Sequence, residues 1–178
     1  RAERTAPMGS AGAELRAAQT MTQDRLKKTG EAVIIDLGEA KDIHPRNKQD
    51  VAMRLARWAL AHDYKVEVPH HSPRYQSMKR DGNKVELTFS HVGQGLQTFD
   101  TRSARGFAVA GPDKRFYWAK GEVVGKDKIV VTCDDVAAPV AVRYGWADNP
   151  VCNVYTREGL PLTPFRTDDW PGETVDAK

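Results

Sequence analysis

Near Lys65 the apolar pattern of the chain changes period, and that change limits the folds open to it more than any other feature. Before it, Val51, Leu55, Trp58, Ala59 and His62 recur at spacings that share one helical face. After it, Lys84-Val85-Glu86-Leu87-Thr88-Phe89 alternates with a period of two, and Lys128-Ile129-Val130-Val131-Thr132 is a β-branched run. Turn signals, Asp81-Gly82-Asn83 and Ala110-Gly111-Pro112-Asp113, bound these runs. The later part therefore predicts an all-β sandwich over residues 67–178. Residues 1–66 read as α/β. An amphipathic helix over 13–28, with Leu15, Ala18, Met21 and Leu26 and a closing Gly30, precedes an apolar run, Ala32-Val33-Ile34-Ile35-Asp36-Leu37, expected to be a strand covered on both faces. A loop over 38–47 then leads into the second helix. Residues 149–172, rich in Pro, Gly and Thr, predict an ordered but irregular segment.

At 178 residues with 40% hydrophobic content, the chain is long enough for one substantial core, or for the tail of one domain and a small second one. No apolar run approaches the roughly 20 residues of a membrane span. The 27 basic and 24 acidic residues are interspersed, which makes nucleic acid and membrane surfaces unexpected partners. Cys133 and Cys152 lack metal-ligand spacing and are candidates for a disulfide in an oxidising compartment or for two buried thiols. The chain starts Arg1-Ala2-Glu3-Arg4, without methionine or an apolar leader, so it is expected to lack its native beginning through processing, cleavage or truncation.

The stretch KDIHPRNKQD, residues 41–50, places Asp42 two residues before His44 in the loop that follows the apolar run. An imidazole near a carboxylate is half of a hydrolytic triad: the acid steadies the imidazolium while the ring takes a proton from a serine or cysteine. Ligands of open α/β sheets also bind beyond the carboxyl ends of strands, where this loop would lie. From spacing alone the commoner reading is that Asp42 or Asn47 caps the coming helix and His44 is a surface residue.

The segments DLGEAKDIHPRNKQDVAMRLARWALA and VAVRYGWADNPVCNVYTREGLPLTPFRTDDWPG resemble the C-terminal part of the sialate O-acetylesterase family of SGNH-type hydrolases, a likeness that runs from about Glu14 to the end. The resemblance implies a flavodoxin-like α/β hydrolase domain, represented here by its C-terminal part, followed by the β-sandwich. It implies a serine esterase that removes acetyl groups from sialic acids or from polysaccharides such as acetyl-xylan, works without a cofactor, and resides outside the cell or in the periplasm. The histidine of the DIHPxNK motif is that family's base, which carries onto His44, and the nearby acid carries onto Asp42. SGNH hydrolases generally place the aspartate three residues before the histidine, a position held here by Lys41, so Asp36 stands as the reserve acid. The family's serine block is not present. Ser10, Ser72, Ser77, Ser90 and Ser103 lack a strand-to-helix elbow, and Met8-Gly9-Ser10-Ala11-Gly12 resembles one only superficially. The chain is thus expected to supply His44 and Asp42 to a serine on an N-terminal segment or separate chain, and to be inactive alone.

Other residues invite weaker readings. His70 and His71 are adjacent, so their side chains are expected to diverge, and no third ligand is spaced nearby; a metal site is not expected. Gly93-Gln94-Gly95 reads as a turn between strands rather than a phosphate loop. Arg143, Tyr144, Trp146, Asp148 and Asn149 combine aromatic planes with polar groups, either as a sugar-binding surface or as core. The alternative to the esterase is a noncatalytic carbohydrate-binding or structural β-sandwich module.

Overall fold

The structure, a computed structural model, describes Ala6 and residues 9–175; Arg1 to Arg4 and Met8 of the sequence reading lie outside them. Helix α1 covers Ala11–Arg25 and helix α2 covers Lys48–His62. Among the described residues nine strands follow: β1 (Arg74–Asp81), β2 (Lys84–Ser90), β3 (Leu96–Thr98), β4 (Ser103–Ala110), β5 (Phe116–Val124), β6 (Lys128–Thr132), β7 (Ala141–Tyr144), β8 (Val154–Thr156) and β9 (Phe165–Arg166). Seven form one antiparallel sheet in the order β1-β2-β6-β5-β4-β7-β9, and β3 pairs with β8 as a separate ribbon.

The alternation in the sequence sets which face is inside. Val85 and Leu87 of β2 oppose Val131 and Ile129 of β6, and these four with Phe89 are buried in one cluster with Phe107, Val142, Tyr144, Val154 and Leu162. Each such side chain contributes about 1.5–3 kcal/mol by leaving water. The sheet curls until its two edges meet. Tyr75 of β1 stacks on Phe165 of β9 at 4.8 Å, and the Thr163 N–H donates to the Pro73 carbonyl at 3.0 Å. Gly82 turns the first hairpin at φ +58°, a conformation that glycine adopts without steric cost.

Two expectations are overturned here. The all-β part is a nearly closed barrel rather than a sandwich, because one continuous sheet wraps its apolar face around a shared core. The flavodoxin-like α/β portion is not formed either: residues 32–37 make no strand among the described residues. Helix α1 ends at Arg25, earlier than the sequence pattern suggests. Gly30 instead serves a close approach, since a Cβ there would run into the Trp58 ring of α2. Residues 149–172 hold the short strands β8 and β9, whose Pro-interrupted sequence hides their pairing. No helix among the described residues is long and apolar enough to cross a membrane.

If edge closure by Phe165 holds the barrel together, Phe165→Ala lowers unfolding free energy in urea by about 3–5 kcal/mol. Val124→Ala, at a residue 42% exposed on β5, changes it by no more than about 0.5 kcal/mol.

Candidate functional site

The loop that carries His44 hangs between two anchors. On its N-terminal side both carboxylate oxygens of Asp36 accept from the Arg54 guanidinium of α2, at 2.7 and 2.6 Å. Arg54 Nη1 also donates to the Val33 carbonyl at 2.6 Å. On its C-terminal side Asn47 caps α2, its Oδ1 accepting from the Asp50 N–H at 3.0 Å. Between the anchors, Asp42 Oδ1 accepts from the His44 backbone N–H at 2.8 Å, and Glu39 Oε1 accepts from the Arg46 N–H at 3.2 Å.

Asp42 and His44 are therefore brought together, but through the backbone N–H of the histidine. Both side chains are exposed, and the His44 ring makes no hydrogen bond among the described residues. Asp36 is committed to Arg54, and burial together with this carboxylate pushes the nearby Tyr155 hydroxyl up to about 12.

Asp42, Ile43 and Pro45 form one side of an open cleft of about 520 Å³. Leu15 and Arg16 of α1, Ile34, and Asp148 and Asn149 form the rest of its polar and apolar lining. Arg16 fixes the far wall by donating from Nη2 to the carbonyls of Gly145 at 3.2 Å and Ala147 at 2.5 Å. Its Nε is buried without a hydrogen-bond partner among the described residues, and burial lowers its pKa. Ser10 is spoken for: its Oγ caps α1, accepting from the Ala13 N–H at 3.0 Å, and donates to Asp148 at 2.7 Å. None of the other four serines hydrogen-bonds the His44 ring.

Of the five residues read as a sugar surface or as core, Arg143, Tyr144 and Trp146 are buried. Arg143 makes two hydrogen bonds to Asp168, at 2.9 and 2.8 Å, and lies 4.1 Å from the Phe116 ring centroid. Only Asp148 and Asn149 of that group reach the cleft. Both cysteines are free thiols. Cys152 packs so closely over Gly106, whose φ is +98°, that a Cβ there would meet its Sγ at 2.7 Å. His70 and His71 do not diverge into isolation; His62, the last residue of α2, joins them.

The sequence reading missed Arg54 and Arg16. For Arg54 a signal exists, because it falls three residues after Val51 and four before Trp58, a charge inside the apolar stripe of its helix. For Arg16 no pattern points to the carbonyls it finds across the fold.

No protein-family model matches the chain, and no curated protein does. Among solved structures it is similar to a novel carbohydrate acetylesterase from Xanthomonas citri, at 44% identity and a TM-score of 0.83. The match covers 89% of this chain and 36% of the other, so the chain spans about a third of that enzyme.

Neither Cys133 nor Cys152 lines the cleft. Burial pushes the Cys152 thiol up to about 11, which leaves roughly a thousandth of it as thiolate at pH 8, against about a quarter for an ordinary cysteine. Alkylation with iodoacetamide at pH 8 should therefore be slow at Cys152 in the native chain and become ordinary in urea; rapid native labelling would contradict the burial.

Proposed function

We propose that this chain is part of a carbohydrate acetylesterase, with His44 as its general base and with the nucleophilic serine on polypeptide outside the chain. The likeness to the Xanthomonas citri acetylesterase carries this reading. Several exposed apolar side chains fit a surface that further polypeptide covers: Leu15 is 61% exposed, Ile43 89% and Leu55 51%. The substrate is an acetylated sugar, either a 9-O-acetylated sialic acid or an acetylated polysaccharide such as xylan, met outside the cell or in the periplasm.

In the reaction the serine hydroxyl gives its proton to the His44 ring as its oxygen attacks the acetyl carbonyl. The tetrahedral intermediate collapses, the imidazolium returns the proton to the departing sugar oxygen, and an acetyl-serine remains. Water attacks this ester with His44 again as base, releasing acetate and restoring the serine. Asp42 acts by holding the His44 backbone and by placing a negative charge near the imidazolium that forms.

The direct test is a longer polypeptide that joins this chain to the segment bearing the serine, assayed for acetate release from acetylated xylan and from 9-O-acetyl sialic acid. His44→Ala should lower kcat by about a thousandfold or more while the circular dichroism spectrum stays unchanged. Asp42→Asn should cost less. The 178-residue chain alone should release no acetate. Full activity in His44→Ala would leave the chain as a noncatalytic module.

A further inference from the structure

Four of the chain's five histidines gather at the C-terminal end of α2, away from the His44 loop. His62 closes the helix, and His70 and His71 lie in the linker before β1. The ring centroids of His62 and His70 are 5.0 Å apart and those of His70 and His71 4.5 Å apart. One ring nitrogen from each of these three falls within 4.8 Å of the others. Trp58 packs against all three, stacked on His62 at 5.4 Å and edge-on to His70 and His71 at 5.0 and 4.4 Å.

One of the three rings is held as a ligand needs to be. The His70 Nδ1 lies 3.0 Å from the Val68 carbonyl, which can only accept, so Nδ1 carries the hydrogen and Nε2 is the nitrogen left for a metal. His91 lies behind His71, stacked at 4.2 Å, and its backbone is left-handed at φ +55°, a conformation that costs a non-glycine residue free energy. The nearby Arg74 guanidinium is neutralised by Asp24, with hydrogen bonds of 2.7 and 2.9 Å.

The geometry points to a site for one divalent transition-metal ion of the zinc class, bound by His62, His70 and His71, with a fourth position open to water or another donor. Imidazole nitrogens suit such ions, and carboxylate-seeking magnesium is excluded by the same donor set. Bonds of about 2.0–2.1 Å place tetrahedral donors about 3.3 Å apart, so the rings close in slightly on binding. His62, exposed at the helix end, has the freedom to do so. The ion would clip the end of α2 to the linker that enters the barrel.

The test is calorimetric titration of the EDTA-treated full chain with Zn²⁺, and with Mg²⁺ as control. One Zn²⁺ should bind per chain and raise Tm, and Mg²⁺ should do neither. His62→Gln, at an exposed position, and His70→Ala should each weaken Zn²⁺ binding more than about tenfold. His44→Ala should leave it unchanged. Absence of saturable Zn²⁺ binding to the wild-type chain, or wild-type affinity in either folded His62→Gln or His70→Ala, would overturn the site and leave the cluster as packing.

Discussion

The His44 loop depends on the ion pair between Arg54 and Asp36. Its two side chains retain only 10% and 12% of their exposure, so neither charge is well hydrated, and each stabilises the fold only while the other is present. Arg54 adds the Val33 carbonyl to its contacts and thereby ties α2 to both ends of the 33–36 segment. The loop that leaves this segment has no sheet to hold it. Its shape comes from short polar contacts at Glu39, Asp42 and Asn47, each meaningful only because Arg54 has fixed where the loop begins.

The barrel supplies the frame for that arrangement. Its inner face is mainly apolar, with the Tyr144 hydroxyl among the few polar atoms buried there, and Arg143 bridges its outer face to the C-terminal segment through Asp168, a carboxylate 1% exposed. That segment brings Asp148 and Asn149 to the cleft, where Arg16 of α1 holds the adjoining carbonyls. The cleft thus joins α1, the 31–45 stretch, residues 148–150 and Pro164, and its lining is more apolar than polar. Such a surface is positioned by hydrogen bonds and is open to whatever polypeptide or sugar lies beside it.

How much of this was legible follows from what periodicity reports. The strands at 84–90 and 128–132 were readable because alternate residues enter one core. The run at 32–37 misled because apolar character reports burial rather than pairing: Val33 is 5% exposed, yet its carbonyl goes to Arg54 instead of a ladder. The closeness of Asp42 to His44 was legible, but not that the contact runs through the backbone N–H rather than the ring, and Asn47 was legible as one of two candidate caps. The meeting of His62 with His70 and His71 was not, because a linker that reverses direction brings together residues with no common sequence period.

The most direct check on the central constraint is a double-mutant cycle in denaturant between Arg54→Met and Asp36→Leu. Each single change strands a buried charge and should destabilise by about 3–5 kcal/mol. The double variant should recover a large part of that loss, with a coupling energy above about 1 kcal/mol. Effects that add to within about 0.5 kcal/mol would mean that the two side chains act independently and that something else holds the His44 loop in place.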